Sequence, residues 1–542
     1  MKFTQRVLKY WICIVALSVT PLASISAVWQ WSVPVSGVIS GETNDHPRAF
    51  LWIPENCKQV RAVIVGQHNM TEEVILEHPE FRRAMTDLGI AEVWVTPGFN
   101  FLFDFNNGAG LQFEEMMKQL AQESGYTELE FAPAIPIGHS ACASYPWNFA
   151  AWNPQRTLAI LSIHGDAPLT NLTGSGRPNP NWGNRSLAGV PGLMVEGEYE
   201  WWEARVQPAL DFQQRFPDAT ISFLCDAGHG HFDTSDELIG YLSLFIKKAV
   251  QYRLPKESPI DKPVKLRTLN PQNGWLKERW KRDEKPGVPS APYSRYTGPR
   301  KDAFWYFDKE MTEATEDSYK RVRGKKEQYL GLSQEGKLLP FNPKLHSRIV
   351  GNFSPEADGL TFHINPVFTD TLRSVAVNDH AKGEPIISRI CGPVTKVNDT
   401  TFTVRFYRMG FNNDRRTNDI WLLASHPGDE NYKSTVQQLN IRIPLRNNQG
   451  AEQRITFAAI PDIKQNVKSL TLSASSNRKM PVFFYIQEGP AEVKDGKVFF
   501  SKIPPRSRFP IKITVAAWQY GRAVEPKIQT APPVFQSFNI IK

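Results

Sequence analysis

The segment with the clearest potential for chemistry runs from Ile135 to Ala143 and reads IPIGHSACA. It joins a predicted β-strand to a predicted helix. A serine that acts as a nucleophile needs its hydroxyl exposed on a turn so tight that its neighbours must be small. Gly138, Ala141 and Ala143 are small and surround Ser140. The pattern predicts that Ser140 is a nucleophile and that the backbone N–H of Ala141, at the start of the helix, stabilises an oxyanion.

This strand–turn–helix segment resembles the nucleophile elbow of the α/β-hydrolase family, and the resemblance extends from Arg48 to Ala249. The family pattern is Gly-x-Ser-x-Gly. Cys142 replaces the second glycine here, and cysteine is still small. The resemblance implies an acyl-enzyme mechanism on Ser140, and we predict no cofactor.

The acid of the predicted triad is chosen by resemblance, because the family order is serine, acid and then histidine. The predicted strand 192–195 is followed by EGEYEWW at 196–202. In the family the acid lies about three residues past the glycine that ends this strand, which selects Glu200. A carboxylate there orients the imidazole and stabilises its charged form. Glu198 is the alternative in the same segment, and Asp166, after the preceding strand, is a more distant one.

The general base is expected in the next loop, 226–233, which reads DAGHGHFD. A base from this loop can reach Ser140 from the other side of the elbow. The family usually has Gly-His followed by an apolar residue just before the last helix. The Gly-His-Phe around His231 fits that pattern better than the Gly-His-Gly around His229. We therefore predict His231 as the base and keep His229 as the alternative.

Two histidines and two aspartates in one loop also suggest a metal site. Histidines spaced by two suit a strand better than a loop that precedes a helix cap. No third cluster of ligands is evident in the sequence. We therefore predict no metal.

Two more groups of residues are expected to surround Ser140. The second oxyanion donor should come from the loop that follows the strand 62–65, so the backbone N–H groups of Gln67 and His68 are the candidates. Trp201 and Trp202 follow the predicted acid, and aromatic faces at a pocket mouth can stack on sugars or aryl groups. We predict that both tryptophans line the substrate pocket.

The elements that must position these residues alternate between short apolar runs and longer amphipathic runs. Strands are predicted at 49–52, 62–65, 92–96, 134–137, 158–163, 192–195 and 221–224, and helices at 79–88, 113–123, 206–216 and from a capping box at Thr234 to about Gln251. This alternation predicts an α/β domain over 28–252: a doubly wound, mainly parallel sheet covered on both faces.

The rest of the 542-residue chain is expected to form further domains. Residues 253–345 are rich in proline and charge, and they predict a wrapped linker with one short helix after the aromatic cluster at 304–307. Short, frequent strands and a weak internal repeat follow, with copies at 391–443 and 488–540. They resemble bacterial Ig-like modules, which implies all-β sandwiches at 346–446 and 447–542. We expect the segment 28–339 to fold and act without them.

Residues 1–27 read as a signal peptide, because positive charges precede a short apolar run that ends in small residues. We expect a secreted or periplasmic protein without stable membrane insertion. The net charge of +8 comes from intermixed acidic and basic residues, and the absence of a Lys/Arg block argues against a nucleic-acid partner.

Together these features predict an exported serine hydrolase. Its substrate is expected to be an ester, either a small molecule or a polysaccharide, cleaved by an acyl-enzyme route. The alternatives are a peptidase of the same fold and a catalytically inactive surface binding protein, because the triad alone does not set specificity.

Overall fold

The computed structural model describes residues 28–174, 176–408, 410–411 and 413–542. The predicted signal peptide, 1–27, lies outside the described residues. Within the described ranges, no helix combines the length and the apolar character needed to cross a bilayer.

An eight-stranded sheet organises the N-terminal part in the order β1-β2-β4-β3-β5-β6-β7-β8. Its first two strands pair antiparallel, β2 also runs antiparallel to β4, and the remaining neighbours pair in parallel. The predicted α/β sheet is therefore present. The strands are β1 Trp31–Pro34, β2 Arg48–Trp52, β3 Ala62–Gln67, β4 Ile90–Thr96, β5 Ala134–His139, β6 Ile160–Ile163, β7 Pro191–Gly197 and β8 Thr220–Asp226.

Helices cover both faces of this sheet, and the sheet separates two apolar cores. Pro79 occupies the first turn of α2, where its missing N–H is tolerated. The Ser235 side chain accepts a hydrogen bond from Leu238 N, so Ser235, rather than the predicted Thr234, caps the last helix of this part. The helices are α1 Glu72–Leu76, α2 Pro79–Leu88, α3 Ala109–Ser124, α4 Tyr145–Trp152, α5 Glu203–Arg215 and α6 Asp236–Arg253.

The segment 253–345 contains more regular structure than the predicted linker. It forms an antiparallel sheet in the order β10-β9-β11, with β9 Trp275–Glu278, β10 Ala291–Pro292 and β11 Ala303–Tyr306, followed by α7 Lys309–Lys320. Phe304 is fully buried and stacks on Phe223 of β8 at 5.0 Å between ring centroids. The carbonyl of Trp305 accepts a 2.6 Å hydrogen bond from Ser222 Oγ. This segment therefore extends the core beside the eight-stranded sheet.

The first β-rich domain begins earlier than the predicted boundary at 346, because β12 pairs with β16. Its strands are β12 Tyr329–Gln334, β13 Lys337–Leu338, β14 Val350–Gly351, β15 Thr361–His363, β16 Asn365–Thr369, β17 Ile386–Cys391, β18 Val394–Lys396, β19 Thr401–Val404, β20 Asp419–His426 and β21 Thr435–Arg442. The second β-rich domain has β22 Ile455–Phe457, β23 Ile463–Lys464, β24 Ser469–Thr471, β25 Ala474–Ser476, β26 Phe483–Glu488, β27 Ala491–Lys494, β28 Lys497–Phe500, β29 Ile511–Gln519 and β30 Ala531–Ile541.

The two β-rich domains share one strand arrangement. The sheets β14-β21-β20-β17 and β23-β30-β29-β26 correspond strand for strand, and in each the first pair is parallel and the others antiparallel. A register shift marks both β17 and β26 near their ends. Gly392 and Gly489 follow at φ +95° and +105°, a conformation that favours glycine. One unit is used twice, as the internal repeat predicted.

Replacing Phe304 by alanine tests whether 253–345 belongs to the core beside the eight-stranded sheet. A fully buried phenylalanine that is truncated leaves a cavity, so we expect the free energy of unfolding to fall by about 3–5 kcal/mol. The same change at Phe499, which is 44% exposed, should have little effect. Thermal unfolding of both variants provides the measurement. Equal melting temperatures would favour a loosely attached linker.

Candidate active site

Ser140 lies on a strained turn directly after β5. Its φ is +52°, in the left-handed region that residues other than glycine rarely adopt. A Cβ on Gly138 would lie 2.1 Å from the carbonyl oxygen of Cys142, so only glycine fits there. Cys142 is fully buried. The tight turn lifts Ser140 above the carboxyl end of the sheet, as the sequence pattern predicts.

A hydrogen-bonded chain joins the three predicted triad residues. His231 Nε2 lies 2.7 Å from Ser140 Oγ. On the other side of the ring, His231 Nδ1 bonds to Glu200 Oε2. The structure thus brings the residues predicted as nucleophile, base and acid into the arrangement that nucleophilic catalysis requires.

Three more groups surround the Glu200 carboxylate. His164 Nδ1 lies 2.6 Å from Oε1, the backbone N–H of Gly197 donates to Oε1 at 3.0 Å, and Arg205 Nη2 donates to Oε2 at 3.0 Å. Burial opposes ionisation of Glu200, but the His231 and His164 rings outweigh it and hold its pKa well below the usual range. Burial also disfavours a charge on His164, but Glu200 outweighs that effect and raises the pKa of His164. The acid is therefore a firmly held anion.

The alternative acids have other partners. Glu198 is buried, pairs with Lys433 Nζ at 2.9 Å and accepts the backbone N–H of Gly228 at 2.8 Å. Asp166 accepts from the backbone and side chain of Thr173. Neither carboxylate is hydrogen-bonded to His231.

His229, the alternative base, interacts with other carboxylates than Glu200. Its Nδ1 bonds to Asp233. Burial disfavours a charge on the ring, but Asp233 and Asp226 outweigh it and raise the pKa of His229 to about 10. An imidazole that holds its proton this firmly is a poor general base near neutral pH.

The three predicted oxyanion donors differ in how well the structure places them for that role. The backbone N–H of His68 donates to the carbonyl of Val95 at 2.8 Å, so it is not available to an oxyanion and the prediction for His68 is wrong. Gln67 is the last residue of β3, and its side chain bonds the backbone of Asn100. Ala141 follows Ser140 at the start of a single helical turn. Ala141 is therefore the best placed of the three.

A carboxylate that the sequence analysis missed fixes the elbow to the loop after β3. Glu72 is fully buried, and its Oε1 accepts the backbone N–H of His139 at 2.8 Å. Its Oε2 accepts the N–H groups of Asn69 at 3.1 Å and Met70 at 2.9 Å. Burial raises the pKa of Glu72 to about 7. The nucleophile and the opposite wall of the site are thus held together by one side chain.

The first β-rich domain packs directly on the loops that carry His231 and Glu200. Trp421 contacts Phe232 at 5.2 Å between ring centroids, and His346 lies 5.5 Å from the His231 ring. Tyr199 donates its hydroxyl to the carbonyl of Ser434 at 2.6 Å. A cut at residue 339 would remove all three contacts and β16, the partner of β12. The expectation that 28–339 is self-sufficient therefore conflicts with the packing.

The two tryptophans predicted to line the pocket differ in their surroundings. Trp201 is partly buried and packs against the core, with Trp280 at 4.8 Å and Phe223 at 6.1 Å between ring centroids, which argues against a pocket role. Trp202 is 43% exposed and its ring covers the Arg205 guanidinium at 5.2 Å. Trp202 therefore shields a partner of Glu200 from water.

His164, Arg205 and Lys433 were all missed at the level of sequence. His164 offers the one usable signal, because it directly follows β6, and residues at the carboxyl ends of parallel strands meet at one edge of the sheet. Arg205 lies on α5, where an arginine is unremarkable. Lys433 comes from a distant domain, so no local pattern connects it to this site.

No protein-family model matches this sequence, and no curated protein matches it. Solved structures align with its N-terminal part. They include a fluorophosphonate-binding serine hydrolase of Staphylococcus aureus (11% identity, 41% of this chain and 96% of that chain, TM-score 0.28) and a dienelactone hydrolase of Anabaena variabilis (12%, 42% and 100%, 0.30). Est1E of Butyrivibrio proteoclasticus is a third (14%, 41% and 98%, 0.27). These similarities are too weak to support any inference about the reaction. The candidate site is therefore interpreted from the geometry described above.

Replacing Lys433 by methionine tests the contact between the first β-rich domain and the acid loop, the segment 198–202 that contains Glu198 and Glu200. The change leaves Glu198, which is 1% exposed, without its closest cation, so we expect about 3–5 kcal/mol of destabilisation. Substituting Glu198 by glutamine in the same chain should recover part of that loss. Lys396→Met, at an exposed ion pair, is the matched control. Thermal unfolding reports the effect, and an unchanged melting temperature for Lys433→Met would contradict it.

Replacing His164 by alanine tests the second imidazole on Glu200. Loss of this hydrogen bond frees the carboxylate to rotate, and a displacement of about 1 Å in a catalytic group reduces turnover by about 100-fold. His164→Asn keeps an N–H donor and should retain more activity. His363→Gln, at an exposed His–Glu pair, is the control. Steady-state kinetics on an aryl ester gives the comparison. Equal rates for His164→Ala and wild type would rule out a positioning role.

Proposed function

We propose that this protein is a serine hydrolase that cleaves ester bonds through an acyl-enzyme. The observation that carries the proposal is the chain from Ser140 Oγ to His231 Nε2 at 2.7 Å and from His231 Nδ1 to Glu200, built on the strained turn after β5. Nucleophile, base and orienting acid are the minimum set for acyl transfer.

In the first half of the reaction, His231 Nε2 takes the proton of Ser140 as Oγ attacks the ester carbonyl. The carbonyl π electrons move to oxygen, and the backbone N–H of Ala141 stabilises the negative charge. The carbonyl then re-forms, the bond to the alcohol oxygen breaks, and His231 gives its proton to the leaving alkoxide. The acyl group now remains on Ser140.

In the second half, water gives its proton to His231 Nε2 and attacks the acyl carbon. Collapse of the tetrahedral species returns the proton to Ser140 Oγ and releases the carboxylic acid. Glu200 stays ionised throughout and stabilises the imidazolium that forms twice per cycle. Its low pKa, caused by the two neighbouring imidazoles, suits that role.

The substrate proposed is an extracellular ester, with esters of polysaccharides as the leading class. Two features support this: the predicted signal peptide and the presence of two β-rich domains beside the catalytic part. The Ig-like character of these domains and a secreted or periplasmic location belong to the same proposal. A peptidase uses an identical triad, so a panel of aryl esters of increasing acyl length, compared with peptide anilides, separates the two activities.

Replacing Ser140 by alanine tests the nucleophile. Wild-type protein should be labelled covalently by a fluorophosphonate, and Ser140→Ala should not be labelled. Turnover of aryl esters should fall by several orders of magnitude, because triad members act as a unit. Thermal unfolding of the variant checks that it is folded. Labelling of the folded variant, or hydrolysis at the wild-type rate, would contradict the mechanism, and an unlabelled wild type would favour an inactive binding protein.

A further inference from the structure

Three ionisable side chains form a second cluster that the proposed reaction does not use. Asp226 is the last residue of β8, and His229 and Asp233 follow in the loop before α6. One ligand atom from each lies within 4.8 Å of the other two. The aspartates are 6% and 5% exposed, and the His229 side chain is 15% exposed. The cluster is therefore nearly enclosed, with His229 at its opening.

The Asp226 carboxylate is the part of this cluster that indicates a bound ligand. No donor of the described residues makes a hydrogen bond to it, and its Oδ2 is buried. A buried carboxylate without a donor is strongly disfavoured, and proteins relieve it by a proton or by a cation. Two imidazoles, those of His229 and His164, interact electrostatically with Asp226. Their Nδ1 atoms are already bonded to Asp233 and Glu200.

We propose that Asp226, His229 and Asp233 bind one Zn²⁺ ion. One imidazole nitrogen and two carboxylate oxygens are a ligand set that Zn²⁺ accepts, with water in the fourth position. Ligand bonds of about 2.0–2.2 Å require the three ligand atoms, which lie within 4.8 Å of one another, to move closer together around the ion. The ion takes the place of the proton between His229 and Asp233 and gives Asp226 its missing partner.

The ion would fix the loop that carries the proposed base. Asp226 belongs to the sheet, whereas His229 and Asp233 flank His231 on either side along the chain. A bond from the end of β8 to both flanks of that loop limits its motion. The role is structural, because His231 and Glu200 bond to each other and His229 bonds to neither.

Zinc binding to the untagged full-length chain tests the site directly and without reference to activity. The protein is treated with EDTA and dialysed, and Zn²⁺ is then added in isothermal titration calorimetry. We expect saturation at one ion per chain and a rise in melting temperature of about 2–5 °C with excess zinc. The variants are His229→Gln and Asp226→Asn. His363→Gln, which removes an imidazole paired with only one carboxylate, is the matched control.

Binding should weaken at least tenfold in His229→Gln and in Asp226→Asn and stay unchanged in His363→Gln. Asp226→Asn also separates the two ways of relieving the buried carboxylate. If Asp226 is simply protonated, the variant melts at or above the wild-type temperature and zinc shifts neither protein. That result, a wild type without saturable binding, or equal affinity in His229→Gln overturns the proposal. Because none of these readouts involves ester hydrolysis, they are independent of the function proposed for Ser140.

Discussion

The buried negative charge of Glu200 is the constraint on which the rest of the site depends. A carboxylate removed from water is stable only when donors surround it, and this one has two imidazoles, a guanidinium and a backbone N–H. Each donor lies on a different element: the ends of β6 and β7, the loop before α6, and α5. Satisfying one charge therefore fixes four parts of the fold relative to Ser140.

The second constraint is the contact between the first β-rich domain and the loops that carry Glu200 and His231. Lys433 neutralises Glu198, and Trp421 covers Phe232 beside His231. The β-rich domain thus packs against the loops that carry Glu200 and His231. Accessory domains that only tether a protein to its substrate would not make these contacts with the loops of the site.

The sequence predicts what local patterns encode. The alternation of strands and helices gives the sheet, and the small residues around Ser140 give the elbow, because a tight turn restricts residue size locally. The choice of Glu200 and His231 came from the family resemblance. The roles of His164 and Lys433 could not be predicted from the sequence, because their positions depend on strand order and on the packing of distant domains. The spacing of His229 and His231 by two argues against a metal at the level of sequence, whereas the fold directs the two histidines to different carboxylates.

The bond between Lys433 and Glu198 spans 235 residues, and this separation has a consequence for biosynthesis. A ribosome that adds about 5–20 residues per second needs about 10–50 s to proceed from one to the other. The parallel sheet and its serine can fold during that interval, but the acid loop still lacks its cation. The segment around Glu198 in the nascent chain therefore lacks this contact until most of the chain has been synthesised.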